Sequence, residues 1–268
     1  MNDLPLERFS PLTLAELVAR AELLTRIDRK YALSTAAAEG ILARLPAGTQ
    51  ALEIDGRRQA GYESVYFDTP ELITYRMCVQ QSRRRIKLRT RCYLDSGVSF
   101  LEAKTRQAEV TVKARTEHPG ADRTRLDEAA RDYAAAALRG VGQPPELASR
   151  LGATLTTGYR RATLLAGDAR VTVDTDLMWF LPAGDRLATG DLVIVETKSA
   201  GACASTVDRL LWRCGIRPVA ISKYATGLAA LRPDLPRNRW ARVLRSHFCV
   251  DRLPSHPSSE MELPCSDL

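Results

Sequence analysis

The sequence predicts an α+β or barrel class: several antiparallel strands, with helices at the ends and in insertions. Three observations predict it. Segments with two-residue alternation recur through the middle of the chain, each half apolar and half charged. Helical spacing is confined to the ends and to insertions between those segments. Finally, residues 83–93 put Arg85, Lys87, Arg89 and Arg91 on one strand face, with Ile86, Leu88, Thr90 and Cys92 on the other. Four aligned cations repel one another and require an anionic counterpart, either protein carboxylates or a polyanionic ligand such as phosphate.

The elements follow in order. Residues 12–24 have helical apolar spacing with Thr13 as N-cap, and 26–33 alternate as a strand. Ser34 caps a short Ala-rich helix over 35–45 that Pro46 and Gly48 close. The aromatic and β-branched run 61–68 is a strand ending at Thr69-Pro70. The cationic strand 83–93, the turn Asp95-Ser96-Gly97 and the strand 98–105 form a hairpin, with a further strand over 108–115. Residues 122–138 are helical and stop at Gly140 and Gly142. Strands return at 154–165, 169–177 and 191–198. Ser205 caps a helix to about Cys214, and a last helix covers 224–231. This sets one domain over 1–235, followed by a basic and then Pro/Ser-rich tail over 236–268 that is expected to be disordered.

Composition narrows the classes. Hydrophobic content of 45% and charged content of 26% fit a globular chain. A net charge of +7, from 39 basic and 32 acidic residues, favours an anionic partner without naming it. The six cysteines are scattered without a CxxC pair, which argues against a disulfide framework or structural zinc. The three histidines leave little room for histidine-based catalysis. No signal-peptide pattern and no apolar run near the ~20 residues of a membrane span are present, so a cytoplasmic protein is expected.

The charged alternation is not confined to one strand. Glu102 and Lys104 share a face, as do Glu109, Thr111, Lys113 and Arg115, then Arg170, Thr172, Asp174 and Asp176, then Glu196 and Lys198. A sheet with one solvent face can carry such residues, and Glu102/Lys104 and Glu196/Lys198 can be plain same-face ion pairs. Four cations in line on one strand are denser than a solvent face requires. Turned inward, the same faces make a basic tunnel with a few carboxylates, and arginines and lysines in number are what closely spaced phosphates need. A carboxylate beside phosphate makes sense as ligand to a hard divalent cation, Mg²⁺ or Mn²⁺, which assigns that role to Glu196 and Glu102. Nucleic-acid readers instead pair basic strips with stacking aromatics, and these strips hold carboxylates and almost no aromatics, so no nucleic-acid partner is expected.

At this point the chain resembles the VTC domain, the polyphosphate polymerase domain of the triphosphate tunnel metalloenzyme superfamily. The matching stretches are Arg26-Ile-Asp-Arg-Lys30-Tyr31, Tyr66-Phe67-Asp68-Thr69, Arg85 to Tyr93, Phe100-Leu-Glu102-Ala-Lys104, Tyr159-Arg160-Arg161, Arg170-Val-Thr-Val-Asp174-Thr175, Val195-Glu196-Thr-Lys198 and Ser222-Lys223-Tyr224, in family order over about residues 20–232. The resemblance implies an antiparallel β-barrel tunnel of about eight strands, with helices packed outside and at the termini, that binds ATP and polyphosphate with Mn²⁺ or Mg²⁺, and a transferase that moves the γ-phosphate of ATP onto a polyphosphate chain without a protein nucleophile. Carried over by position, Arg89, Arg91, Lys104, Lys198 and Lys223 would act on the reacting phosphates. Arg26, Lys30, Lys87, Arg161, Arg170 and Ser222 would hold substrate, and Glu196 would be the leading metal ligand. The triphosphatase branch of the superfamily carries Glu-x-Glu-x-Lys where this chain reads Arg26-x-Asp28-x-Lys30, so its first acid is missing, which favours the polymerase-like branch. Fungal relatives carry further domains and membrane helices, so a membrane-protein partner from another chain belongs to the expectation. The alternatives are a tripolyphosphatase or nucleoside triphosphatase using the same tunnel, and a non-catalytic polyphosphate sensor.

Overall fold

The computed structural model describes residues 4–20, 26–108, 110–119, 122–200 and 203–248. Its centre is one sheet of eleven strands. They are β1 (Ser10–Leu12), β2 (Arg26–Leu33), β3 (Gln50–Leu52), β4 (Gln59–Asp68), β5 (Arg84–Tyr93), β6 (Ser99–Gln107), β7 (Val110–Glu117), β8 (Gly152–Ala166), β9 (Ala169–Phe180), β10 (Arg186–Thr189) and β11 (Val193–Ala200). The main path runs β2-β11-β9-β8-β4-β5-β6-β7, antiparallel throughout. Strands β1, β3 and β10 lie off it, β1 pairing parallel with β3. The helices are α1 (Leu14–Arg20), α2 (Thr35–Leu42), α3 (Ile73–Val79), α4 (Glu128–Gly140), α5 (Thr206–Arg213), α6 (Lys223–Leu231) and α7 (Ala241–His247).

The α+β class holds, and so does the outward turn of the apolar faces. Ile86, Leu88, Leu101 and Ala103 pack against Ala130, Ala134 and Leu138 of α4. Val171, Val173, Val193 and Val195 pack with α2 and α5. A further cluster joins α3, α6 and α7 to Leu155, Leu177, Trp179 and Ile194. Ile194 lies two residues from Glu196 and so shares its face. The α6 cluster therefore covers one end of the charged face, and the other end stays open.

The barrel, however, does not close. Among the described residues β2 pairs only with β11 and β7 only with β6, so the path ends in two edges. Residues of both edges nevertheless line one cavity with β5 and β6, which shows that the sheet curls round. Like charges face each other across the seam, with Lys30 bearing on Lys87 and Lys104, and this repulsion opposes closure.

Caps placed from sequence are in position: Thr13 and Glu16 bond reciprocally, Ser34 accepts from Ala37 N–H, and Ser205 forms a capping box with Asp208. Ser10–Leu12 pairs as a strand before the predicted first helix, and α4 starts six residues later than predicted, at Glu128 behind Asp127 as N-cap. The predicted tail is corrected in its first part. Residues 238–248 form a 3₁₀ turn and α7, and Trp240, Val243, Leu244 and Phe248 join the α6 cluster. Four apolar residues in eleven suffice for this because α6 and Tyr75 offer them a surface. The remainder, 249–268, lies outside the described residues. Among the described residues, no helix is long and apolar enough to cross a membrane.

Candidate phosphate-binding cavity

The antiparallel register builds the site. Lys87 lies directly opposite Lys104 across β5–β6, and Lys104 directly opposite Lys113 across β6–β7. Directly opposed residues project to the same face, so three lysines form a transverse row. Arg85 and Arg106 make the next row. These cations, with Asp28, Arg29 and Lys30 of β2 and the segment Pro218–Ser222, line a cavity of about 980 Å³. Lys87 Nζ donates to Ser222 Oγ at 2.8 Å. Ser222 is the N-cap of α6, its Oγ also accepting from Ala225 N–H, so the start of that helix lies beside the lysines. Lys87 titrates below an ordinary lysine because of burial and because Lys30, Arg89 and Arg85 surround it. Lys104 is lowered likewise by burial and by Lys30 and Lys87, with Asp28 and Glu196 only partly offsetting them. The wall is therefore short of negative charge.

Deeper along the same face the cations are compensated. Glu102 is only 2% exposed and accepts from Arg89 Nε at 2.9 Å and Nη2 at 2.7 Å. It also meets Lys113 Nζ at 2.9 Å and Arg91 Nε at 3.6 Å. Asp174 is buried, accepts from Arg161 Nη2 at 2.8 Å and pairs with Lys223. Aromatic rings lie beneath the cations: Arg91 and Arg161 over Tyr62, Lys223 over Tyr159, and Arg89 over Tyr66. Glu196 differs from both carboxylates. It lies opposite Lys30 and 3.7 Å from Lys198. Burial disfavours its charge, but Lys30, Lys198, Arg161 and Lys223 outweigh burial and hold its carboxyl far below the usual range.

The site residues expected from sequence thus separate into groups. Lys30, Lys87, Lys104 and Ser222 line the cavity. Arg89, Arg91, Arg161 and Lys223 sit deeper, on Glu102 and Asp174. Arg170 and Lys198 are register partners beside Glu196. The side chain of Arg26 lies outside the described residues. Glu102, expected as a metal ligand, lies within ion-pair distance of Arg89, Arg91 and Lys113. Sequence reasoning put Lys113 on a charged face without assigning it to the site, and missed Arg106, which alternates with Glu102 and Lys104 on β6. It missed Asp174 as the anchor of Arg161 and Lys223, and placed Arg239, which lines the cavity mouth, in the tail.

The model of the VTC domain matches residues 25–232. Solved structures similar to this chain include a candidate adenylate cyclase from Bacillus halodurans (12% identity, TM-score 0.41, covering 87% of this chain and 94% of that one). Another is a candidate adenylate cyclase from Vibrio parahaemolyticus (14%, TM-score 0.38, 72% and 88%). A third, from Hippeastrum, is a candidate adenylyl cyclase described as revealing a dominant triphosphatase activity (14%, TM-score 0.42, 80% and 100%). No curated protein matches the chain.

Proposed function

The chain belongs to the VTC domain family, and on that premise we propose that it is a metal-dependent phosphotransferase moving the γ-phosphate of ATP onto a polyphosphate chain. The observation that carries this is the row Lys87–Lys104–Lys113 facing Lys30 in one cavity. Like charges directly opposed on a sheet are destabilising, and an anion with several closely spaced charges removes the repulsion. Lys30, Lys87 and Lys104 would hold the phosphates, with Ser222 and the first turn of α6 donating beside them. These donors favour the charge that develops on the transferring group.

The donor set fits Mn²⁺ or Mg²⁺ in one way. Among the described residues, no group of three His, Cys, Asp or Glu side chains is placed to hold a metal. Glu196 is held ionised and lies among phosphate-binding cations, which suits a hard cation bound through one or two carboxylates and substrate phosphates. Such an ion would supply further neutralisation of phosphate charge. Glu196 would hold it, and Lys198 keeps that carboxylate in place at 3.7 Å.

A second reading, a tripolyphosphatase or nucleoside triphosphatase, is favoured by the inner end. Ser64, Thr157 and Thr172 share the charged face and are each 1% exposed. A cavity closed there receives a triphosphate more readily than it passes a growing chain. Incubation with ATP and Mn²⁺, followed by assay of long-chain polyphosphate and orthophosphate, separates the readings. Polymer supports the transferase, orthophosphate alone supports the hydrolase, and neither product defeats both.

A further inference from the structure

We propose that Asp68 and Tyr224 are positioning residues that set where Ser222 and Lys223 stand in the phosphate site, an inference that rests on the phosphate-binding reading above. Asp68 ends β4 and is 1% exposed. Its Oδ1 accepts from the N–H groups of Thr69 (2.8 Å) and Thr74 (2.9 Å). Its Oδ2 accepts from Thr74 Oγ1 (2.8 Å), Tyr75 N–H (2.9 Å) and the hydroxyl of Tyr224. The bonds to Thr74 and Tyr75 cap α3 and are local architecture. The bond from Tyr224 is different, because it crosses 156 residues of sequence to the residue after Lys223.

From Tyr224 the contacts run into the site. Its ring stacks on Tyr66 at 5.1 Å, and Tyr66 Oη accepts from Arg89 Nη1 at 3.0 Å. The carbonyl of Lys223 accepts from Trp179 Nε1 at 2.8 Å, and Lys223 Nζ reaches Asp174. Ser222 Oγ accepts from Lys87. The first turn of α6 is thereby fixed on two sides, by Trp179 and by Tyr224 on Asp68. A buried carboxylate with every donor directed at it holds that geometry within narrow limits. The proposed chain of action is that Asp68 fixes Tyr224, and Tyr224 fixes the Ser222–Lys223 turn against the phosphates.

Two substitutions separate positioning from mere stability. Tyr224→Phe and Thr74→Val each remove one hydroxyl donor from the same oxygen of Asp68, but only the first loosens α6. Both should lower the melting temperature by a similar few degrees. Titration calorimetry with tripolyphosphate should show affinity weakened on the order of tenfold for Tyr224→Phe and unchanged within about twofold for Thr74→Val. Ser222→Ala should also weaken binding, and combining it with Tyr224→Phe should add little, since Tyr224 is proposed to act through the turn that carries Ser222. Equal affinity losses in Tyr224→Phe and Thr74→Val, full affinity in Tyr224→Phe, or additivity with Ser222→Ala would each overturn the proposal. Wild-type protein that does not bind tripolyphosphate would instead remove the phosphate reading itself, and this inference with it.

Discussion

Glu102 lies directly opposite Arg89 across β5–β6, and one oxygen of its carboxylate accepts from both Nε and Nη2 of that guanidinium. The same carboxylate meets Lys113 and Arg91, so one buried acid serves three cations. Burial would raise its carboxyl, but Arg89 and Lys113 outweigh burial and keep it below the usual range. Glu102→Gln leaves those cations without a counter-charge and should cost about 3 kcal/mol in denaturant unfolding of the free protein. Tripolyphosphate should then stabilise the variant more than it stabilises wild type, because the ligand takes over the missing charge. Equal stabilisation of both proteins would speak against this role.

Lys87 has the opposite problem, an excess of like neighbours. Lys87→Met should leave the free protein as stable as wild type or more so, while tripolyphosphate binding weakens by about tenfold or more, as loss of a charge-assisted contact requires. Calorimetry checks affinity and thermal melting checks stability. Burial and like-charged neighbours lower Lys87 and Lys104 from the ordinary lysine value, so wild-type affinity should also fall with rising pH before an ordinary lysine loses its proton.

Asp174 predicts an acid limb. Burial alone would raise its carboxyl, but Arg161 and Lys223 bring it from 3.8 down to about 2. A folded value below the unfolded one stabilises the protein above pH 3.8, and that contribution is lost as pH falls through about 2. It is worth on the order of 2 kcal/mol. Asp174→Asn should lack this component, so its urea stability should change less than wild type's between about pH 4 and pH 2.

Gly227 permits the close seat of α6. A Cβ there would lie 2.1 Å from Cδ1 and 2.2 Å from Nε1 of the Trp179 indole. Gly227→Ala must push α6 off Trp179, and should cost on the order of 2 kcal/mol as an overpacked core does. The shift moves Lys223 as well, so tripolyphosphate affinity should fall together with the melting temperature.

Much of this was legible in the sequence because strand alternation is local information. That Arg85, Lys87, Arg89 and Arg91 share one face follows from period two alone, and the caps at Ser34 and Ser205 follow from hydrogen-bonding chemistry. Which cations stay available to a ligand was not legible, because it depends on register. That Glu102 lies opposite Arg89 and meets Lys113 emerges only from the alignment of β5, β6 and β7. α7 escaped notice because its amphipathic face is short and its stability comes from Trp240 and Phe248 meeting distant residues. The open seam depends on charges that approach only after the sheet curls.

The central claim is that the lysine-lined cavity is the phosphate site. A crystal structure with a non-hydrolysable triphosphate and Mn²⁺ tests it most directly. The predicted result is phosphate oxygens among Lys30, Lys87 and Lys104, with the ion on Glu196. Phosphates bound elsewhere on the molecule, with this cavity holding only solvent, would contradict it.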